Sequence, residues 1–526
     1  MLDAVKPPHL RTAAIAAALF LLCGGSCDLG IPGVPPGAGE SSAGFRLPAL
    51  HAEPDPVAGG RILDAAGREV ILRGVNVNAF VEYWQLSTDR FTTYPFTAAD
   101  ADLMQQMGWN AVRLLISWSR VEPEIGVYDE AYLDQVERAV ALLESRGLYA
   151  IIDLHQDAWG PTLVARPNES CKSGSPPAFG WDGAPGWATQ DGGKPRCALG
   201  GTREFSPAVM AAFQAFWNDA PGTDGVGIRT HYARMLGHVA ARFAPHDSVA
   251  GYDLMNEPNA FYLIAGQLDA LAAFYADAIV QIRAGEASVG APARLVLFEP
   301  AITWSDTGQG APPDFARDSQ VVYAPHLYQG GLNSLPLDAS SFQQARDEAA
   351  DYGGAPVLIG EWGSDPARAA DPSDGYFDAH QALQEQFRFG ATLWTWREAC
   401  GDPHKAADWV AGRIPSVWGF FDVDCATNTI LGMRAPLAAA LSRGMLRAAP
   451  GRLASLAFDP ANRVLAASGD AAARTSFVAW LPPGGRDAPW LDGTGIELFS
   501  WKPAPGGGLY VTGVAKPGAW ALSVHR

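Results

Sequence analysis

The chain has 526 residues, of which 48% are hydrophobic, and it carries a formal net charge of −18. This length is sufficient for one large domain and a smaller one. The negative charge argues against a polyanionic partner, so we expect no nucleic acid to bind. The 17 tryptophans suit either core packing or stacking on sugar rings.

The first residues have the pattern of an export signal. Basic residues precede the apolar run 13–22, and small residues with cysteines follow it. The run is too short to span a membrane. We therefore predict a signal peptide over 1–27 and an exported protein that is secreted, periplasmic or lipid-anchored to the bacterial envelope. Cys23 and Cys27 stand where a lipoprotein carries its modified cysteine, and both anchoring and plain secretion stay open.

The remainder divides into three segments. Residues 28–60 are rich in proline and glycine, which predicts a flexible linker. From residue 61, strand-like and helix-like segments alternate, and this predicts an α/β protein with a (β/α)8 TIM barrel over 61–444. Short alternating runs between glycine and proline clusters predict a small C-terminal antiparallel β-sandwich over 445–526. We expect a monomer. The candidate barrel strands lie near 70–77, 110–117, 149–155, 249–255, 294–299, 320–326, 356–360 and 390–396.

Four cysteines follow the signal, and an even number in an exported chain favours disulfides. Of the three possible connectivities, local pairing of Cys171 with Cys197 and of Cys400 with Cys425 is the simplest. Each bridge would close a loop of about 25 residues and contribute roughly 3 kcal/mol. Neither pair has CxxC spacing and no His–Cys cluster suggests a metal, so we expect neither a metal nor a cofactor.

Two glutamates stand at the ends of short apolar runs. Glu257 lies in Tyr-Asp-Leu-Met-Asn-Glu-Pro, and Glu361 lies in Val-Leu-Ile-Gly-Glu-Trp-Gly. Such runs read as buried parallel strands, whose carboxyl ends meet at the mouth of an α/β barrel. Either motif alone fits an ordinary turn. Two carboxylates in one mouth suit hydrolysis of a glycosidic bond, which needs a proton donor and a nucleophile or base.

Polar residues mark the ends of other strands. Arg113 is a charge inside an apolar strand and requires a carboxylate partner, either in the site or as a structural ion pair. Asp153, His155 and Asp157 share one face of an extended chain, and sugar hydroxyls fit them better than a metal.

Two further strand ends carry aromatic and histidine side chains. His326 and Tyr328 end the sixth strand, where a tyrosine hydroxyl near Glu361 would favour its ionised form. Trp394 and Trp396 lie two residues apart, so one could floor a sugar site while the other lines its edge. Core packing is the alternative for Trp396.

These motifs resemble glycoside hydrolase family 5 of clan A and, within it, the endoglycoceramidase and glycosylceramidase subgroup. The resemblance spans about 61–525 and includes the subgroup motifs Ile116–Pro123, Gly126–Asp129, Tyr132–Asp134, Asp153–Asp157, Pro185–Thr189, Ala212–Trp217 and Ala250–Pro258. It implies a retaining mechanism with Glu257 as acid/base and Glu361 as nucleophile. It also implies that Asn256 binds the sugar 2-hydroxyl and that Tyr328 partners the nucleophile. Arg113, His155, His326 and Trp394 match the remaining family positions.

One departure concerns the stretch after the first barrel strand. Endoglycoceramidases place there a lysine that contacts the glycan, whereas residues 74–84 of this chain contain none. The sugar head group and the choice between endo and exo cleavage therefore stay open.

The expected substrate is a glycolipid or an oligosaccharide, and the leading hypothesis is cleavage of the β-linkage between sugar and ceramide in glycosphingolipids. One alternative is a β-glucosidase or endoglucanase of the same family that acts on soluble glucosides or polysaccharide. Another is a non-catalytic carbohydrate-binding lipoprotein, which the presence of both Glu257 and Glu361 disfavours. A lipid anchor would add membrane association. For a lipid substrate we expect an apolar wall from the loop around Trp159 and Trp181 or from the segment after Trp396.

Overall fold

The computed structural model describes residues 30–315 and 317–526. The predicted signal peptide and its two cysteines lie outside the described residues. Within those two ranges, no helix combines the length and the apolar character needed to cross a bilayer.

Eight parallel strands close into a barrel. Two antiparallel strands come first in the chain, β1 (Leu50–Glu53) and β2 (Arg61–Asp64). The barrel strands are β3 (Arg73–Phe80), β4 (Ala111–Ser117), β5 (Tyr149–His155), β6 (Val249–Asp253), β7 (Leu295–Phe298), β8 (Val321–Tyr323), β9 (Leu358–Trp362) and β10 (Gly390–Leu393). Their hydrogen-bonded order is β8-β7-β6-β5-β4-β3-β10-β9, and a parallel bridge between Tyr323 and Val357 joins the two ends. The predicted barrel is confirmed.

Helices surround the strands because their apolar faces must be buried against the sheet. In one of them, Glu130–Glu144, Leu133, Val136, Val140 and Leu143 form a buried stripe at helical spacing. Asp129 caps this helix by accepting a hydrogen bond from the Tyr132 amide. The helices are α1 (Ala98–Gln106), α2 (Trp118–Val121), α3 (Glu130–Glu144), α4 (Pro207–Trp217), α5 (Ile228–Phe243), α6 (Gln267–Ser288), α7 (Trp304–Thr307), α8 (Ala339–Asp351), α9 (Pro366–Ala370), α10 (Tyr376–Phe387), α11 (Ala406–Val410) and α12 (Ala435–Leu441).

The segment before the barrel differs from the expected flexible linker. Leu47, Leu50 and Ala52 are buried, and β1 pairs with β2 along its whole length. These apolar side chains form one cluster with residues at the amino-terminal ends of the barrel strands. This contact fixes residues from about 47 onward on the barrel.

Two long loops extend from the carboxyl ends of β5 and β10, and each contains one disulfide. Cys171 bonds Cys197 with a Cα–Cα distance of 5.7 Å, and Cys400 bonds Cys425 at 5.5 Å. Both predicted pairings are therefore formed. The second loop also holds a hairpin of β11 (Phe421–Asp424) and β12 (Thr429–Met433).

The C-terminal strands form the predicted sandwich of two antiparallel four-stranded sheets. One sheet has the order β13-β16-β19-β18 and the other β14-β15-β20-β17. Its strands are β13 (Met445–Ala448), β14 (Arg452–Asp459), β15 (Val464–Ala471), β16 (Thr475–Leu481), β17 (Trp490–Thr494), β18 (Ile496–Pro503), β19 (Leu509–Ala515) and β20 (Gly518–His525).

The sandwich packs closely against the barrel. Glu385 of α10 accepts hydrogen bonds from Arg443 and from the Phe458 amide, so a barrel helix is bonded to the sandwich. Gly108, with φ of +77°, lies against the fully buried Trp480 of β16. A Cβ atom at Gly108 would lie 2.1 Å from the indole ring, which no real packing allows.

We predict that Gly108→Ala lowers the free energy of unfolding by about 3 kcal/mol, because it adds a clash with Trp480 to the penalty for a left-handed backbone. Urea unfolding would measure the loss. Gly126→Ala is the matched control, since Gly126 has φ of +70° and open space around its Cβ position. The control should lose about 1 kcal/mol. Equal losses in the two variants would contradict close packing of the domains at this point.

Candidate active site

A cleft of about 370 Å³ opens at the carboxyl ends of the barrel strands. Glu361 is the fourth residue of β9, and Glu257 lies four residues beyond β6. The cleft is lined by His155, Asp157, Arg203, Glu204, Asn256, Glu257, Ile302, Ser305, Asp306, Tyr328, Leu332, Asn333, Glu361, Trp394, His404 and Trp418. This is the end of the barrel where parallel strands bring their terminal side chains together.

The two glutamates predicted from sequence lie side by side in this cleft. A carboxylate oxygen of Glu257, one of Glu361 and a ring nitrogen of His326 all lie within 4.8 Å of one another. Carboxyl groups of inverting glycosidases are about 6.5–9.5 Å apart and leave room for a water, whereas those of retaining enzymes are about 5–5.5 Å apart. The spacing here fits a direct attack by one carboxylate on the sugar.

Arg113 lies behind both glutamates and is completely buried. Its guanidinium lies 2.9 Å from oxygens of four carboxylates: Asp153, Asp253, Glu299 and Glu361. It also donates to the side-chain oxygens of Asn76 and Asn256. Such a buried cation balances the negative charge that several neighbouring carboxylates would otherwise place in a region of low dielectric.

His326 and Tyr328 fix the glutamate carboxylates from the side of β8. His326 Nδ1 lies 2.9 Å from Glu257 Oε1 and 3.6 Å from Glu361 Oε2. The Tyr328 hydroxyl donates to Glu361 Oε2 at 2.7 Å. With Arg113 on its other oxygen, Glu361 is held at both ends and cannot rotate freely.

Burial and neighbouring charges shift the pKa values of the ionisable groups in the cleft. Burial raises the pKa of the Glu361 carboxyl above its usual value, and the charges of His326 and Arg113 oppose this rise. Burial also acts to raise the pKa of Glu257, but the hydrogen bond and charge of His326 outweigh it and the pKa is lowered. For His326 itself, burial acts to lower the pKa, and the charges of Glu299 and Glu361 raise it well above the usual value.

The remaining predicted polar residues form one side of the cleft. Asp153 accepts from His155 Nδ1 at 2.8 Å, which fixes the orientation of the imidazole. The His155 ring stacks on Trp394 with 12° between planes. Asn256 Nδ2 donates to the Gln156 carbonyl, so its amide is held between that carbonyl and Arg113. Trp394 and His155 line the cleft directly, whereas Asp153 acts through His155.

Trp396 does not reach the cleft. Its indole packs against Trp109 and Phe420 and donates to Asp100 Oδ1, with 2% of the side chain exposed. The prediction that Trp396 binds substrate is therefore wrong, and core packing applies. The two-residue periodicity could not be extended to it because β10 ends at Leu393.

The loop around Trp159 and Trp181, one of the two expected sources of an apolar wall, does not provide it through these two tryptophans. Trp159 is buried and packs against Trp118, Phe213 and Phe216 of the barrel exterior. The Arg203 guanidinium lies over the indole of Trp181, with its Cζ 3.9 Å from the ring centroid. The Trp181 ring also packs against His404. Both tryptophans support the long loop from within.

Sequence reasoning missed several residues in and behind the cleft. Glu299 follows β7 directly, and the same pattern of a charge after a buried strand that identified Glu361 would have found it. Arg203 and His404 come from the two long loops, which carry no periodic signal. Arg203 Nη2 donates to Asp157 and its Nη1 lies 3.2 Å from His404, so the two loops meet over the cleft.

Neither cluster of acids and histidine among the described residues favours a metal ion. Arg113 lies 2.9 Å from Glu361 in the first cluster, and Lys405 Nζ lies 2.9 Å from Glu398 in the second, which also contains Asp402 and His404. A cation already neutralises each group, so a second cation would be repelled.

Comparison with known proteins agrees with this geometry. The family description "Cellulase (glycosyl hydrolase family 5)" matches residues 63–399. A crystal structure of endogalactoceramidase superposes with a TM-score of 0.79 at 35% identity, covering 91% of this chain and 100% of that chain. Endo-glycoceramidase II from Rhodococcus sp., solved as its ganglioside GM3 complex, superposes with a TM-score of 0.66 at 25% identity, covering 88% and 98%.

A curated relative aligns over a shorter stretch. Endoglycoceramidase I of Rhodococcus hoagii (strain 103S) is 28% identical over 292 residues, which is 51% of this chain and 52% of the relative. The chain thus spans about half the length of that relative. The family match covers most of the barrel, and together with the endogalactoceramidase superposition it shows that the chain belongs to glycosyl hydrolase family 5.

Proposed function

We propose that this glycoside hydrolase is a retaining enzyme that cleaves the β-linkage between sugar and ceramide in glycosphingolipids. The observation that carries the mechanism is the approach of Glu257 and Glu361 within 4.8 Å. The lipid assignment is supported by the relatives named endogalactoceramidase and endoglycoceramidase I and by the exposed apolar side chains at this end of the barrel described below.

In the first step, a carboxylate oxygen of Glu361 attacks the anomeric carbon and the bond to the ceramide oxygen breaks. Glu257 gives its proton to that oxygen, and ceramide leaves as a neutral alcohol. In the second step, a water attacks the glycosyl ester from the side of Glu257, which takes the proton back, and the Glu361 carboxylate is released. Two inversions at the same carbon leave the sugar in the β configuration.

Each neighbouring side chain has a definite task in this scheme. Arg113 and Tyr328 hold the two oxygens of Glu361, and both donors favour its ionised form against the rise in pKa that burial causes. Trp394 offers an aromatic face at the cleft wall on which a sugar ring can stack. The Asn256 amide, fixed by Arg113, keeps one N–H for a sugar hydroxyl next to the reacting carbon.

Exposed apolar side chains lie on the segments that follow β3, β6 and β10, at the end of the barrel that holds the cleft. Phe91 is 63% exposed, Leu263 81%, Val410 66% and Ile414 64%. The loop of Phe91 contacts the loop of Val410, because the Gly401 amide donates to the Phe91 carbonyl. Exposed apolar side chains at this end of the barrel suit a substrate whose two hydrocarbon chains lie in a membrane.

We predict that Glu361→Gln lowers turnover by at least about 10³-fold, because an amide cannot form the glycosyl ester. Release of sugar from a β-glycoside would measure the loss. With the wild-type enzyme, the product sampled early in the reaction by NMR should be the β anomer. Glu286→Gln is the matched control, a buried glutamate on α6 remote from the cleft. Full activity of Glu361→Gln, or an initial α product, would refute the double displacement.

Glu257→Ala should slow hydrolysis of a glycosylceramide far more than that of an activated aryl β-glycoside. The aryl leaving group needs little help from a proton donor, whereas an alkoxide leaving group needs much. The ratio of kcat/KM values for the two substrates, in wild type and variant, measures the difference. Equal losses on both substrates would remove Glu257 from the role of acid.

The lipid assignment is tested by release of ceramide from glucosylceramide in vesicles. Val410→Glu should reduce this rate by about tenfold, since one buried valine contributes about 1.5 kcal/mol to contact with an apolar phase. Activity on a soluble aryl β-glucoside should be unchanged. Val280→Glu is the matched control, because Val280 is 62% exposed on α6. Cleavage of soluble glucans without ceramide release would favour a β-glucosidase or endoglucanase.

A further inference from the structure

Glu299 is a buried carboxylate behind the proposed acid/base, with 2% of its surface exposed. Its Oε2 accepts a hydrogen bond from the Glu257 backbone amide at 2.8 Å. Its Oε1 accepts from Arg113 Nη2 at 2.9 Å and lies 3.2 Å from His326 Nε2. One side chain therefore contacts both the main chain of Glu257 and the histidine that bonds the Glu257 carboxyl.

His326 stands between two carboxylates. Its Nδ1 lies 2.9 Å from Glu257 Oε1. Its Nε2 lies 3.2 Å from Glu299 Oε1, which is within ion-pair distance, although the two atoms do not have the geometry of a hydrogen bond. An anion beside Nε2 favours a proton on that nitrogen. Nδ1 and Glu257 Oε1 are then left to share one further proton.

We infer that Glu299 is a positioning residue for the acid/base, since it keeps His326 protonated at Nε2 and so keeps one exchangeable proton between His326 Nδ1 and Glu257. The inference rests on the proposed role of Glu257. As the bond to the leaving oxygen breaks, Glu257 gives up its proton and becomes a carboxylate. The water of the second step returns one proton to Glu257 Oε1, from which it exchanges with Nδ1, so no proton is gained or lost over a cycle.

The second contact of Glu299 concerns the backbone of the acid/base. Glu257 has φ of +39°, a left-handed conformation that is unfavourable for a residue with a side chain. The bond from its amide to Glu299 Oε2 helps hold this conformation, which directs the carboxyl into the cleft. In Glu299→Gln an amide oxygen can still accept this bond, so the substitution removes the charge and keeps the anchor.

The charge of Glu299 is itself sensitive to pH. Burial raises the pKa of Glu299 to about 7, the positive charge of His326 opposes the rise, and Asp253 adds to it. The groups that face its carboxyl are Arg113, His326, Asp253 and the Glu257 amide, and the Tyr275 hydroxyl bonds its backbone carbonyl. As pH rises through about 7, Glu299 becomes an anion. The negative charge of Glu299 therefore keeps the proton shared by His326 Nδ1 and Glu257 bound up to a higher pH than a neutral side chain at this position would.

The test compares pH profiles of kcat/KM for wild type and Glu299→Gln on a glycosylceramide in detergent. The alkaline limb, where the shared proton is lost, should move to lower pH by about one unit in the variant. On an activated aryl glycoside, which needs little proton donation, the limb should move much less. Asp253→Asn is the control. Asp253 pairs with Arg113 Nε at 2.9 Å, so this substitution removes the same amount of negative charge from the cluster as Glu299→Gln does. It should shift the limb less than Glu299→Gln.

An unshifted alkaline limb in Glu299→Gln, or an equal shift in Asp253→Asn, would overturn the inference. ¹⁵N NMR of labelled histidines in the wild-type protein provides a test that does not depend on the variant folding. His326 should keep a proton on Nε2 between pH 5 and 9, and a bare Nε2 in this range would also overturn it. An inactive Glu361→Gln together with an unshifted Glu299→Gln would leave the proposed function intact, whereas an active Glu361→Gln would remove the function itself.

Discussion

The site depends on the ion pairs that the buried guanidinium of Arg113 forms with four carboxylates. Carboxylates from the ends of β5, β6, β7 and β9 converge on the axis of the barrel, and their mutual repulsion would open it without a central cation. Arginine suits this place because its planar group offers five donors in fixed directions. The polar centre is thus one network, in which the position of each acid depends on the others.

This network gives the two glutamates different hydrogen-bond partners. Glu361, the proposed nucleophile, is bonded by Arg113 and Tyr328 on its two oxygens, and both donors oppose the rise in its pKa that burial causes. Glu257 is bonded by His326, which can either hold a proton or release it. The difference lies in the neighbours, since a permanent donor fixes a charge and a titratable donor lets it change.

The two disulfide-bonded loops both line the cleft. They meet there through the contact of Arg203 with His404, and Trp181 of the first loop packs against both side chains. Phe91, which follows β3, and Val410, in the second loop, are exposed at the same end of the barrel. The second loop therefore lines the polar cleft through His404 and Trp418 and also exposes an apolar side chain to solvent.

The sequence by itself determined the barrel and the sandwich, and it predicted local pairing of the cysteines and two glutamates at the barrel mouth. A buried strand has a continuous apolar run, and the polar residue that ends it must lie at the barrel mouth, so local pattern implies position. The strand pattern does not place Trp396, because its alternation stops where β10 ends at Leu393. Composition predicts a linker that includes residues 47–52, whereas partners far away in the chain fix this segment on the barrel, and local composition cannot show such partners. The separation of Glu257 from Glu361, the fourfold pairing of Arg113 and the meeting of the two loops were decided only by the tertiary structure. These depend on distances between segments far apart in the chain, and no local pattern records such distances.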